Sequence, residues 1–195
     1  MIAAIVLAAG LSKRMGQPKM VLPWGGKTVI GQVVDSLITG GIDQIIVVTG
    51  GTRLLVEEAL PTQPVTFANN PNYANGEMLS SLQVGLQRLD FGIESFLMVL
   101  GDQPQIEPAT VSGLIDAFKK TSCRILIPSY QMRRGHPWLI ERSLWQGILA
   151  LQPPATLRDF LKGVEKEISY LPVDTPSILN DLDTFEDYQN GRPTP

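Results

Sequence analysis

Three cations crowd a short glycine-bearing segment near the start of the chain, LAAGLSKRMGQPKM at residues 7–20. Arg14 carries the planar fork that grips a phosphate through two hydrogen bonds, and Lys13 or Lys19 adds a compact point charge. Gly10 lacks a Cβ, so its backbone admits a ligand at close range, and Gly16 takes a positive φ without penalty. Together these groups suit an anion such as a polyphosphate. Taken alone, they suit an ordinary solvated loop equally well.

Carboxylates elsewhere sharpen the choice. Asp102 lies in Gly101-Asp102-Gln103-Pro104, and Asp181 and Asp183 lie in Asn180-Asp181-Leu182-Asp183-Thr184. Beside a triphosphate, a carboxylate repels unless a hard divalent ion such as Mg²⁺ stands between them, and that ion favours oxygen ligands. Two acids spaced i, i+2 in extended backbone project to one side, so one of them can share a metal with Asp102. The structural alternatives are Asp102 as a turn former and the 180–184 segment as a helix start.

Other groups with chemical potential are fewer. Asn70 to Ser81 offers amides, Gly76 and the hydroxyls of Ser80 and Ser81 at a helix start, groups that hydrogen-bond a base edge or a ribose. His136, the lone histidine, fits a positional or acceptor-binding role or a plain turn. Familiar phosphate motifs fail: five residues separate Gly10 from Gly16 and Gln17 follows, so there is no P-loop. Neither Gly10 nor the Gly50-Gly51 pair completes a G-x-G-x-x-G fingerprint, and no G-x-S-x-G elbow accompanies His136.

The apolar pattern says what must hold these groups. Ile2–Leu7, Ile45–Val48 and Phe96–Leu100 are expected as buried strands, with Val65–Ala68, Ile125–Ile127 and Trp138–Ile140 as shorter ones. Helical spacing joins Ile30, Val33, Val34, Leu37 and Ile38, then Leu55, Val56, Ala59 and Leu60. It returns at Leu79, Leu82, Leu86 and Leu89, at Val111, Leu114, Ile115 and Phe118 behind Pro108, and at Leu144, Ile148 and Leu151. Thr156 with Asp159 and Thr184 with Asp187 have the Thr-x-x-acid form of a helix start, and Arg133-Arg134-Gly135 is expected as a turn. Strands alternating with helices imply a layered α/β domain with a mostly parallel sheet. Ligands in such sheets sit beyond the carboxyl ends of strands, where Gly10 and Asp102 both fall.

Bulk properties exclude whole classes. At 195 residues and 44% hydrophobic content, the chain can bury a substantial core. No apolar stretch approaches the ~20 residues that span a bilayer, and the basic residues follow the first apolar run instead of preceding it, so neither a membrane span nor a secretory signal is expected. A net charge of -3 argues against nucleic acid as a partner. One cysteine, Cys123, rules out an intramolecular disulfide and fits a reducing cytoplasm.

Taken together, Leu7-Ala8-Ala9-Gly10-x-Ser12-x-Arg14-Met15-Gly16-x-x-Lys19, the Asn70–Ser81 segment, Gly101-Asp102-Gln103-Pro104, Gly135-His136-Pro137 and Asp181-x-Asp183-Thr184 resemble the MobA-like nucleotidyltransferases. Within that family they look most like the molybdenum cofactor cytidylyltransferase branch. The resemblance implies an α/β, three-layer Rossmann-like fold with a mostly parallel twisted sheet and helices on both faces, as one nucleotidyltransferase domain over residues 1–195. It implies backbone contacts from Ala8, Ala9 and Gly10 to the base, phosphate contacts from Arg14 and Lys19, and nucleoside contacts near Gly76 and Ser80. Mg²⁺ would sit at Asp102 with Asp183 or Asp181, Asp183 being favoured. Arg14, Lys19 and Asp102 would be the catalytic groups, and His136 and Arg158 the candidate acceptor contacts.

The implied reaction moves CMP from CTP to the phosphate of a pterin, molybdopterin, with release of pyrophosphate, and a molybdoenzyme is a candidate partner. Leu-Ala-Ala-Gly, as opposed to Leu-Ala-Gly-Gly, points to the cytidylyl over the guanylyl branch. Two positions depart from the family pattern: Phe185 after Asp183-Thr184, which bears on a helix start more than on chemistry, and His136 within Gly135-His136-Pro137, which leaves the acceptor less defined than the donor. The alternatives are a sugar or alcohol phosphate as acceptor, GTP as donor, or a non-catalytic nucleotide- or cofactor-binding accessory protein of molybdoenzyme maturation.

Overall fold

Seven apolar residues in succession, Ile2–Ala8, form a strand buried along its whole length, β1. The computed structural model describes residues 1–75 and 77–193. After β1 come β2 (Pro23–Trp24), β3 (Lys27–Thr28), α1 (Val29–Thr39), β4 (Gln44–Thr49), α2 (Arg53–Glu58), β5 (Thr66–Asn69), α3 (Glu77–Leu86) and β6 (Ser95–Leu100). The second half runs α4 (Pro108–Lys120), β7 (Ile125–Tyr130), β8 (Arg133–Arg134), β9 (Trp138–Glu141), α5 (Trp145–Ala150), α6 (Leu157–Gly163), β10 (Ile168–Pro172) and α7 (Phe185–Gly191).

The main sheet is ordered β10-β7-β9-β6-β1-β4-β5, with β8 paired to β7, while β2 and β3 form a separate ribbon. β1 runs parallel to β4 on one side and to β6 on the other, whereas β9 is antiparallel to both β6 and β7, and the short β8 is antiparallel to β7. Alternate residues of each strand face opposite helix layers, because side chains in extended backbone alternate. Ala4, Val6 and Ala8 pack with Ile30, Val33 and Leu37 of α1 and with Val111 and Leu114 of α4. Ala3, Ile5 and Leu7 pack with Leu79, Leu82 and Leu86 of α3 and with residues of α5 and α6. The three-layer α/β architecture expected from the sequence is therefore present.

Three local expectations change. The turn expected at Arg133-Arg134-Gly135 lies at Gln131 and Met132, with φ 48° and 64°, and Arg133–Arg134 pairs with β7 as a strand. A tight hairpin needs left-handed backbone at its central residues, and these two adopt it without glycine. α3 ends at Leu86, three residues short of Leu89. In α2, Val56 is buried but Leu55 is exposed, so the stripe is narrower than its apolar spacing implies.

The chain leaves β1 for β4 on one side and returns to β6 on the other, so the order reverses between β1 and β6. At such a reversal the connecting loops diverge and leave a crevice beyond the strand ends. The loops after β1 and β6 border that crevice.

Candidate active site

The loop after β1 coils back on itself, with Ser12 and Gly16 both in left-handed backbone at φ 50° and 67°. Coiling lets the Ser12 hydroxyl accept a hydrogen bond from the Lys19 amide at 3.2 Å, just where Lys19–Val21 makes one 3-10 turn. That turn aims Lys19 inward: its Nζ donates to an Asp102 carboxylate oxygen and, at 3.0 Å, to the Leu182 carbonyl. Both side chains of the ion pair are largely buried, 12% exposed for Lys19 and 16% for Asp102. Arg14 reaches Asp183 at 2.9 Å in a wetter setting.

The Asp181–Asp183 arm is held by backbone as well as side chains. Leu182 N–H donates to the Asp102 carbonyl at 3.1 Å, and Gln103, itself buried, donates through Nε2 to an Asp181 carboxylate oxygen. Much of Asp181 is open to solvent, yet its carboxyl is partly desolvated. That desolvation, with the nearby Asp102 charge, raises its pKa above 3.8 despite the Gln103 hydrogen bond. Beyond the arm, Thr184 caps α7 through a reciprocal capping box with Asp187, as its Thr-x-x-acid spacing implied. The α7 residue Tyr188 donates its hydroxyl to the Pro23 carbonyl at 2.8 Å and, with Leu182, packs on Met15, Trp24 and Val29. The C-terminal arm is thereby clamped onto the opening loop.

A cleft of about 460 Å³ gathers Ala9, Gly10, Arg14, Lys19, Asp102, Asp181 and Asp183 into one lining. Its charged residues come from the three loops, whereas Leu7, Leu100, Tyr73 and Met78 supply apolar surface and Ser81 a hydroxyl. An apolar wall with a few convergent charged groups is the usual composition of a small-molecule site.

Some expected residues stand elsewhere. Ala8, expected for its backbone, ends β1 with its side chain in the core beside Val6 and is not among the residues that line the cleft. Ser80 accepts a hydrogen bond from Asn70 at 2.9 Å, and the neighbouring Ser81 is the serine that lines the cleft. Gly76 lies outside the described residues. His136 stacks on Trp138 at 4.8 Å, with its Nε2 sealed from solvent and without a partner among the described residues. Burial lowers its pKa from 6.5 to about 4, so it is neutral at physiological pH and not part of the cleft lining. Arg158 lines a different hollow of about 450 Å³, with Arg134, Trp138 and Lys162.

Sequence reasoning missed Gln103, Tyr73 and the Leu182 carbonyl. Gln103 stands in a motif whose aspartate carries the evident chemistry, and a backbone carbonyl leaves no compositional trace at all.

Comparison with known proteins then decides the family. Residues 4–176 match the model of the MobA-like NTP transferase domain. The chain belongs to this family. Over 193 residues this MobA-like protein is 30% identical to the molybdenum cofactor cytidylyltransferase of Escherichia coli K12, covering 96% of this chain and 93% of that one. It is 27% identical over 194 residues to nicotine blue oxidoreductase of Paenarthrobacter nicotinovorans, covering 95% and 93%. Among solved structures, Rv0371c of Mycobacterium tuberculosis H37Rv is similar at a TM-score of 0.84 and 31% identity, over 97% of this chain and 96% of that one. A further structure of that protein is a complex with manganese. The MobA-like chain is thus a nucleotidyltransferase of Rossmann-like fold. Among its described residues, no helix is long and apolar enough to cross a membrane.

Proposed function

We propose that the protein transfers CMP from CTP to the phosphate of molybdopterin, releasing pyrophosphate, and that it needs Mg²⁺ to do so. The observation that carries the donor half is the shared cleft: cations from the first loop and carboxylates from the β6 loop and the C-terminal arm face one space. The CTP and molybdopterin assignments are supported by the Leu7-Ala8-Ala9-Gly10 run and by the 30% identity to the E. coli enzyme.

The donor set fits a hard divalent ion. Desolvation first, and then the nearby Asp102 charge, raises the Asp181 pKa, and a dication between the two carboxylates relieves the like-charge part. Among the described residues, no group of three or more acids, histidines or cysteines is arranged to hold a metal by itself. Two carboxylates, with triphosphate oxygens and waters for the remaining positions, match how Mg²⁺ is usually bound. Asp102 with Asp181 or Asp183 would hold the ion, which supplies charge neutralisation at the triphosphate.

In this reading Ala9 and Gly10 take the base edge through their backbone, and Arg14 and Lys19 move from their carboxylate partners to the phosphates. An oxygen of the acceptor phosphate attacks Pα, the Pα–O bond to the β-phosphate breaks, and pyrophosphate leaves. The attacking oxygen is already ionised near neutral pH, so no general base is needed. That agrees with a site rich in cations and acids in which the histidine is buried elsewhere. Catalysis rests on alignment and on charge stabilisation by Arg14 and Lys19. Arg158, with Arg134 and Lys162, suits the anionic groups of the acceptor, and the buried His136 supports Trp138 without touching the substrate.

The test is pyrophosphate release from each of the four triphosphates with molybdopterin, a sugar phosphate or an alcohol phosphate as acceptor. CTP with molybdopterin should stand well above every other pair, and no release from any pair would overturn the reading.

A further inference from the structure

The Gly50-Gly51 pair matches no dinucleotide motif, yet the structure depends on its lack of side chains. Both glycines follow β4, and the Tyr73 side chain lies directly across them. A Cβ built on Gly50 would stand 2.7 Å from Tyr73 Cβ and 2.9 Å from Cγ, and one on Gly51 would stand 2.8 Å from Cε2 and 3.1 Å from Cζ. Three of those separations fall under 3.0 Å, closer than carbon atoms approach, and a Cβ on Gly50 would also meet the Ala9 carbonyl oxygen at 2.5 Å, so a side chain at either position would force the ring or the backbone around it to shift.

The loop that carries Tyr73 is fixed from both sides. Asn70, nearly fully buried, donates through Nδ2 to Ser80 Oγ at 2.9 Å and Ser81 Oγ at 3.0 Å. Its Oδ1 accepts from the Asn72 amide at 2.9 Å, and its own amide donates to the Thr49 carbonyl at 2.8 Å. These bonds tie the end of β4, the Tyr73 loop and the first turns of α3 into one unit. Tyr73 then lines the same cleft as Ala9, Gly10, Leu7 and Leu100.

We infer that Tyr73, seated on Gly50-Gly51, sets the width of the base slot and selects pyrimidine over purine triphosphates. The inference rests on the proposed nucleotide reading of the cleft and adds a specificity-determining residue to it. A rigid ring, backed by peptide that cannot give way, leaves room for a one-ring base, whereas a fused two-ring base has to displace it. An aromatic wall held by packing discriminates by shape, so the energy of displacing it appears directly in relative affinities.

The experiment is calorimetric titration of the intact protein with α,β-methylene analogues of CTP, UTP, GTP and ATP in the presence of Mn²⁺. Wild type should favour the pyrimidines, and Tyr73→Ala should shift the purine-to-pyrimidine affinity ratio towards purines by about tenfold, the scale on which apolar pockets discriminate size. Tyr73→Phe should keep the wild-type ratio. Gly51→Ala should weaken all four analogues by pushing the ring into the cleft, and adding Tyr73→Ala to it should recover the lost affinity. An unchanged ratio in Tyr73→Ala, or a double variant no better than Gly51→Ala, overturns the inference while leaving nucleotide binding intact. Absence of any analogue binding by wild type would instead overturn the nucleotide reading and this inference with it.

Discussion

Lys19 and Asp102, 83 residues apart, meet as an ion pair at the carboxyl end of the sheet, and the same ammonium also donates to the Leu182 carbonyl at 3.0 Å. One side chain thus joins the first loop, the loop after β6 and the C-terminal arm. A positive group held there without nucleotide keeps the Asp102 charge balanced in a largely buried setting, where an unpaired carboxylate is costly.

Removing either partner should slow turnover sharply while the chain stays folded, with Lys19→Ala, which strands the Asp102 charge, also lowering the melting temperature. Lys19→Ala and Asp102→Ala are each expected to lose roughly a hundredfold in rate, on the order of 3 kcal/mol of transition-state stabilisation. Steady-state pyrophosphate release, beside far-UV circular dichroism that stays native, checks both halves. Near-normal release by both variants would contradict the assignment.

Asp181 gives a pH signature. Its folded pKa is raised, so the folded chain holds this proton more tightly than the unfolded chain, and charging it as pH rises works against the fold. Asp181→Asn should melt higher than wild type at pH 7, and the difference should fade as pH falls below 3.8, where both states are protonated. Thermal melts across that range, in metal-free buffer, measure it. A gain that stays constant with pH would point to a cause other than ionisation.

His136 carries the opposite sign. Its pKa is lowered from 6.5 to about 4 by burial, so between those values the unfolded chain binds a proton that the folded chain refuses. Stability is full above pH 6.5 and is lost progressively as pH falls towards 4, by up to about 3 kcal/mol at the usual conversion. His136→Phe keeps a flat ring against Trp138 and should lose less melting temperature than wild type between pH 7 and 5. Equal losses in the two proteins would show that the imidazole is not responsible.

Thr184 tests the clamp. Its hydroxyl accepts from the Asp187 amide at 3.1 Å, and a cap of this kind stabilises by about 1 kcal/mol. Thr184→Ala should lower the melting temperature modestly and also weaken Mn²⁺ binding in the presence of nucleotide, because α7 anchors the arm that carries Asp181 and Asp183. Calorimetry that finds unchanged Mn²⁺ affinity would separate the cap from the site.

Which parts were readable in the sequence follows from the range of each interaction. Phe96–Leu100 announced itself as a central strand because continuous apolarity between polar flanks suits a strand covered on both faces. The two Thr-x-x-acid starts, at Thr156 and Thr184, are local chemistry and form the capping boxes their spacing implies. Arg14, Lys19 and Asp102 stood out by charge beside strand ends, and the fold brings them to one cleft. Hidden from sequence was everything decided by packing between distant segments. Tyr73 gains its place from two glycines at the end of another strand, Asp181 gains Gln103, and His136 loses its proton to a burial that its turn-like neighbours Gly135 and Pro137 did not signal. The hairpin at Gln131 and Met132 escaped for the opposite reason, since neither residue type favours the backbone it adopts.

The clamp of α7 on the opening loop also orders events in time. On a ribosome, the first loop emerges long before residues 181–188, so Lys19 waits through most of synthesis for the Leu182 carbonyl, and Met15 and Trp24 for their apolar cover. A product released after β10 but short of that arm would have its sheet but no finished mouth to the crevice, and chains truncated there would be kept from engaging nucleotide by their own incompleteness.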